Sequence, residues 1–504
     1  MNVVIIGGGI SGLAAAYSLD RQSRAIGMSL SRVVVEGAPR PGGKILTRRS
    51  EGFVLEGGPD SFLTRKPAAL ALCAELGLTD RLIAPRPTPV STRILHRGRL
   101  LPLPEGTALI APTRLWPFVR TPLLSWRGKA RAAWDLVIPP RRCGEDESVG
   151  AFIRRRLGRE FLEVIAEPLL GGIHAGDPER LSLHALFPAL VELERRYGSL
   201  IRGSRVRSKE AHQPCHAGRP AVVSLPVDER RPVLPPAFVS FPSGMAELVE
   251  ALVARLGTGS LILGRRVERI VRRAGGTACP RYEVVLDDHR RLAADAVVLA
   301  TPAHVAADLV EPVDPALAGA LRRIRYVSTA VVSLGYRRAD VPRPWGEPEG
   351  GHGFVIPRRE GRMINACTWS SAKFDGRAPS DRVLLRAFLG GARAEKVMEL
   401  DDDRLVGLVR SELADLLGIV ERPLIADVVR WPHGIPQYDV GHLERVAELE
   451  RRRPVGLYLT GAAYHGVGVP DCIAAAQVTA AAVIRDLARA AQDRIGTSAH
   501  WGVE

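Results

Sequence analysis

At 504 residues the chain exceeds what one hydrophobic core organises, so two or three domains are expected. Hydrophobic residues make up 46% and charged residues 25%, which excludes a disordered chain. The net charge of +15 (70 basic against 55 acidic residues, only six of the basic ones lysine) favours anionic partners such as substrate carboxylates or lipid head groups. No zinc-finger spacing, RNA-binding aromatic motif or long basic tract points to nucleic acid.

The first predicted elements are a strand, a glycine-rich turn and a helix. "NVVIIGGGISGLAAAYSL" is a continuous apolar run leading into Gly7-x-Gly9-x-x-Gly12 and a helix of small residues. In that context the glycines form a dinucleotide fingerprint. Gly7 permits the tight turn, Gly9 lets the backbone approach a pyrophosphate, and Gly12 lets helix and strand pack closely. The helix N-terminus offers free N–H groups and a partial positive charge to phosphates. "RVVVEGAPRPGGKILT" adds a second strand ending in Glu36, whose carboxylate suits the hydroxyls of an adenosine ribose and repels a 2′-phosphate. Arg40, the pair Gly42-Gly43 and Lys44 follow directly, and "FVLEGGPDSF" brings a further pair, Gly57-Gly58, beside Pro59. Arg40 returns a fixed positive charge towards the pyrophosphate. Repeated approaches without a Cβ suit a long extended cofactor such as FAD, whereas NAD is normally served by the first turn and the acidic residue alone.

Further along, residues 100–140 mix Leu, Trp and Pro with arginines and few acids. That composition suits a surface dipping into lipid, with Trp116 and Trp126 at head-group depth and Arg114, Arg120, Arg127 and Arg131 on phosphates. Residues 203–236, rich in Pro, Arg and Ser, read as a long mobile loop; His212 and His216 flank Cys215 there, too few ligands for a metal site. "SLILGRRVERIVRR", "RYEVVL" and "ADAVVLATPAHVA" read as three strands, and "YLTGAAYHGVGVPDCIAAA" as a strand, a second glycine-rich turn and a helix. The closing "DRIGTSAHWGVE" reads as a tail. The six cysteines are scattered without C-x-x-C spacing, which favours a reducing compartment over a disulfide framework. No uncharged apolar run of about 18 residues is present, and the apolar N-terminus lacks the basic flank of a signal peptide.

The ExxxRxGG element from Glu36 to Gly43 and the C-terminal glycine turn resemble those of the amine-oxidase-like flavoproteins. Four stretches narrow the resemblance: "LEGGPDSFL" (55–63), "EPLLGGIHAGDPERLSLHALFPALVELERRYGSLIRG" (167–203), "FPSGMAELVEAL" (241–252) and "GAAYHGVGVPDCI" (461–473). They are similar to the oxygen-dependent, FAD-containing protoporphyrinogen and coproporphyrinogen oxidases. The resemblance implies an α/β fold with a discontinuous Rossmann-like FAD-binding domain (1–85, 236–310 and 425–490). It also implies a mixed-sheet substrate domain (86–99 and 311–424) and a helical membrane-associated insertion (100–235). The implied reaction is six-electron oxidation of protoporphyrinogen IX to protoporphyrin IX with O2 as acceptor, giving H2O2. Coproporphyrinogen III oxidation by the same mechanism is the alternative, and a desaturase or amine oxidase a more distant one. Peripheral attachment to the inner, cytoplasmic face of a membrane follows from the family, which also leaves room for a homodimer.

Residue by residue, the resemblance carries further roles. Gly461, Gly466, Gly468 and Val469 approach the flavin ring, Val267 contacts the adenine through its backbone, Thr301 lies where the sheet closes, and Trp431 lies near the cofactor. Arg93 matches an arginine that pairs with a substrate propionate, Gly172 one whose missing side chain makes room for the macrocycle, and Phe388 an aromatic that stacks on a pyrrole. Val355 and Thr368 stand where the family usually carries larger apolar residues. Cys472, inside the glycine turn, is read as a buried small side chain, so FAD is expected to be non-covalent, and neither metal nor acid–base triad is expected.

Overall fold

The computed structural model describes the chain except residues 109–110, 113–114, 142–143, 212–235, 274–280 and 499–504. His212, Cys215, His216 and Arg114 therefore lie outside the described residues.

Five parallel strands form the first sheet, in the order Leu261–Leu263, Ser31–Glu36, Asn2–Ile6, Ala296–Leu299 and Leu457–Leu459. Runs such as "NVVII" and "AVVL" are apolar throughout because a parallel sheet is covered on both faces. Alternation then divides each run. Val3 and Ile5 pack with Leu13 and Ile473 against the helices Ile10–Ala25 and Val469–Ser498, while Val4 and Ile6 share a core with a three-stranded antiparallel sheet (Val267–Arg272, Tyr282–Leu286 and Arg291–Ala294) and the helices Ala303–Val310 and Pro315–Arg322. Alanines on both long helices, Ala14 on the first and Ala476 and Ala480 on the last, let chain ends separated by over four hundred residues pack together.

The second sheet is mixed and seven-stranded: Ile425–Pro436, Tyr326–Arg337, Arg382–Gly390, Ile364–Trp369, Gly353–Val355, Arg93–His96 and Arg99–Pro102. One face packs on the helix Asp402–Leu417. The other, carrying Ile94, Val355, Ala366 and Phe388, meets the helical segment. That segment is knotted by the fully buried pair Arg156–Asp135. Arg156 Nε donates to Asp135 Oδ1 at 2.6 Å, and Asp135 Oδ2 accepts from Ser199 Oγ and the Ile201 N–H.

Four boundaries differ from expectation. Ile425–Pro436, assigned to the nucleotide-binding part, pairs along Tyr326–Arg337 in the mixed sheet, where a strand of twelve residues finds a ladder partner of equal length for its backbone groups. Residues 311–324, assigned to the substrate part, pack instead beneath the first sheet through Leu317, Leu321 and Ile324. A helix, Leu200–Ala211, occupies the start of the stretch read as a loop, and the final helix runs to Ser498, through the first half of the stretch read as a tail.

Candidate active site

A cavity of about 1010 Å³ runs from the carboxyl ends of the parallel strands to one face of the mixed sheet, at Arg386 and Phe388. That volume sits at the upper end of the range for ligand pockets, as a long cofactor plus a substrate requires. Open parallel sheets bind ligands outside the carboxyl ends of their strands, which is where the first glycine turn lies.

The nucleotide end is built from backbone. Gly7 has φ +107°, open to glycine at little cost, and a Cβ there would stand 3.0 Å from the Ala300 carbonyl. A Cβ on Gly12 would fall 1.8 Å from the Gly7 oxygen, so its absence lets helix and strand touch. Gly9 differs: a Cβ there would meet no protein atom closer than 3.9 Å, so the bare backbone keeps the cavity wall flat instead of relieving a clash. Glu36 accepts the Gly8 N–H at 2.6 Å and the Ala38 N–H at 2.8 Å, one on each oxygen, which fixes its carboxylate at the cavity edge with lone pairs to spare. Arg40 clamps the loop through the Pro41, Gly43 and Ile45 carbonyls.

Gly42, Gly43, Lys44, Gly58, Pro59, Val267, Thr301, Trp431, Gly461, Gly468 and Val469 also line the cavity. Gly12 and Gly57 do not: both serve packing, and a Cβ on Gly57 would press on Leu46 and Val429. Trp431 donates its indole N–H to the Gly57 carbonyl at 2.7 Å, tying the mixed sheet to the glycine pair. The Thr301 hydroxyl is buried in the wall without a partner.

The C-terminal turn is held from behind. Tyr438 Oη accepts the Gly466 N–H at 2.7 Å and donates to the Ala462 carbonyl at 2.7 Å. Its ring stacks on His442 at 3.7 Å, and His442 Nε2 bonds the Tyr464 carbonyl. Burial pushes His442 down to about 4, keeping it neutral, and pushes the Cys472 thiol up to about 11, well away from a reactive thiolate.

At the substrate end Gly172 and Phe388 line the cavity. Val355 sits behind Gly172, its Cγ1 3.5 Å from where a Cβ would be, and Thr368 lies in register with Arg386 on the neighbouring strand; neither lines the cavity. Arg93 departs from expectation. It is paired with Phe354, one residue out of step with Val355, and strand alternation turns it to the opposite face of the sheet. There its guanidinium donates to the Gly350 and Glu349 carbonyls and lies over Trp345, so it does not reach the cavity.

The residues that sequence reading missed are charged. Asp60 lines the cavity and binds Lys373 at 3.0 Å. Burial alone would raise its carboxyl, but Lys373 and Arg386 hold it well below the usual range. Lys66 pairs with Asp471, both in the cavity lining, and Lys44, already expected there, has its ammonium lowered by burial. Arg386 carried one visible signal: a lone charge interrupting the apolar strand "VLLRAFL". Among the described residues no cluster of three or more His, Cys, Asp or Glu could hold a metal.

The flat glycine walls, the Glu36 carboxylate pinned at the cavity edge and the unpartnered Thr301 hydroxyl fit a flavin nucleotide. The family model described as flavin containing amine oxidoreductase matches residues 10–484. The chain belongs to that family. It is a flavin-dependent oxidoreductase, and the relatives agree in length as well as sequence. It is 37% identical over 94% of its length to the coproporphyrinogen III oxidase of Bacillus subtilis, covering 95% of that protein. It is 33% identical over 96% of its length to the chloroplastic protoporphyrinogen oxidase 1 of Arabidopsis thaliana, covering 88% of that one. A crystal structure from Exiguobacterium sp. 255-15, assigned provisionally as a protoporphyrinogen oxidase, superposes with a TM-score of 0.81 at 32% identity, covering 96% of this chain and 98% of that one. Putrescine oxidase, at 18% identity and a TM-score of 0.68, shares the fold.

Proposed function

We propose that this chain oxidises a porphyrinogen to the corresponding porphyrin in haem biosynthesis, with FAD held non-covalently and O2 as final acceptor. The observation that carries the reading is similarity along nearly the whole chain to enzymes named for that reaction. When bound, a flavin would supply two-electron acceptance from the substrate, with O2 taking up the electrons as H2O2, so a six-electron oxidation would need three rounds. The chain's own residues do the rest. Gly7, Gly9 and the N-terminus of the helix Ile10–Ala25 would take the pyrophosphate, Glu36 the ribose, and the turn from Gly461 to Val469 the ring. Gly172 and Phe388 would leave a flat apolar slot against which the macrocycle lies.

Protoporphyrinogen IX is one substrate in this reading, and the plant relatives are named as protoporphyrinogen oxidases. The bacterial relatives at 37% and 38% identity are named for coproporphyrinogen III, which favours that second reading for this chain. Supplying each porphyrinogen in air and following porphyrin fluorescence decides between them; growth with neither would overturn the assignment.

A peripheral membrane position belongs to the same proposal. No helix of the described residues is long and apolar enough to cross a membrane. Trp116, Trp126, Trp134 and Val137 are exposed, with Arg120 stacked over Trp116 and Arg127 over Trp126. The one acid from 115 to 137, Asp135, is buried with Arg156. This arrangement suits anionic lipid at the inner face of a cytoplasmic membrane. Co-sedimentation with anionic vesicles that survives Trp126→Glu would count against it.

A further inference from the structure

The mixed sheet buries a cation that the protein itself does not neutralise. Arg386 is 3% exposed and lies in the cavity wall. Its Nη2 donates to the Gly58 carbonyl, its Nη1 stands 3.9 Å from Asp60, and its Nε has no partner at all. Asp60 is the only carboxylate so near it among the described residues, and Lys373 already holds both oxygens of Asp60 at 3.0 and 3.1 Å. Glu56 and Arg377, 3.8 Å apart, belong to the same buried group, so the three cations Lys373, Arg377 and Arg386 face the two carboxylates Asp60 and Glu56, which leaves a surplus positive charge in the cavity wall. Unlike the other arginines with an unpartnered N–H among the described residues, Arg155, Arg338, Arg410 and Arg445, Arg386 lines the cavity, so its open donor is within reach of a bound molecule.

Position names the partner. Strand alternation puts Arg386 on the same face as Phe388, and its guanidinium carbon stands 4.7 Å from the centre of that ring. The side chain thus borders both the apolar slot and the glycine pair at Gly57-Gly58. Arg93, expected to fill the anionic role, faces the other way. Resting on the porphyrinogen reading above, we propose that Arg386 binds a carboxylate of the tetrapyrrole. Asp60 and Lys373 position it: Asp60 steadies one end of the guanidinium, and Lys373 keeps Asp60 from consuming its charge. A planar guanidinium suits a carboxylate through parallel hydrogen bonds, and the flanking aromatic ring orients it.

The test compares the free-acid porphyrinogen with its methyl ester, which keeps the ring and removes the charge. With wild-type enzyme the ester should show a KM about tenfold higher than the acid at similar kcat, the size of one charged hydrogen-bonded contact. Arg386→Gln should raise the KM for the acid towards the ester value, leave the ester unchanged and retain full flavin absorbance. Arg386→Lys, which keeps the charge without the fork, should fall between them. A second readout needs no turnover: the Kd of the free-acid porphyrin product, by fluorescence titration, should weaken in step. Equal KM for acid and ester in the wild type would overturn the assignment without needing any variant to fold. A shift in the flavin midpoint potential of Arg386→Gln with KM unchanged would also overturn it, giving the cation to the flavin. Failure of the wild type to oxidise either form would overturn the porphyrinogen reading and this assignment together.

Discussion

The two ends of the cavity are made of different material. Around the first turn the wall is backbone: Gly7, Gly9, Gly42 and Gly43 present main chain, and the one acid, Glu36, is itself pinned by backbone N–H groups. At the other end the wall is side chain: Phe388, Arg386 and Asp60, drawn from two separated stretches, with Arg386 over the Phe388 ring and beside the Asp60 carboxylate. A backbone wall works with almost any side chain pointing elsewhere, and the same cradle can serve many reactions. A side-chain wall is specific to one ligand and is lost piece by piece.

If that contrast is right, damage at the first end should remove the cofactor and damage at the second should spare it. The largest effect is expected from Gly12→Val. A Cβ 1.8 Å from the Gly7 oxygen must force helix and strand apart, costing about 3 kcal/mol and releasing the flavin. A purified variant with full flavin absorbance would break the comparison at its strongest point.

Next comes the turn held by Tyr438 and His442. His442 titrates at about 4 in the folded chain against an ordinary value of 6.5, so the unfolded chain takes up the proton first. Stability is intact above pH 6.5 and falls as pH drops from there towards 4, by roughly 3 kcal/mol if the shift is fully expressed. Thermal melts across that range should show the loss, and His442→Gln should flatten it; identical slopes would remove His442 from the account.

Glu36→Ala deletes the acceptor of two backbone N–H groups and, in the proposed function, of the ribose, and should weaken flavin binding by about 2 kcal/mol in a dialysis or fluorescence titration. Phe388→Ala is the mildest and sharpens the other side: KM for porphyrinogen should rise about tenfold while flavin content stays whole. Flavin loss there would mean the two ends are not separable.

The same contrast explains what could be read in advance. The cradle was legible because its chemistry depends on missing side chains at short fixed spacing, and Gly7, Gly9, Glu36, Gly43 and Gly468 all fall in the cavity wall. Gly12 and Gly57 were named for the right neighbourhood but pack against protein instead. Arg93 was misplaced because local sequence gives a strand without giving its register, and one step of register exchanges the faces. Arg386 was passed over for the opposite reason. Its worth depends on Asp60 and Lys373, one more than three hundred residues away and the other already committed.

Composition, glycine spacing and apolar periodicity by themselves determined that this chain builds a nucleotide-binding sheet with a second glycine turn near its end, because those constraints act between residues close along the chain. Which strand joins which sheet, which face each arginine takes and which buried charge is left unbalanced were decided only by the folded arrangement. They follow from pairing partners and neighbouring charges, and those are supplied by parts of the chain that meet only in three dimensions.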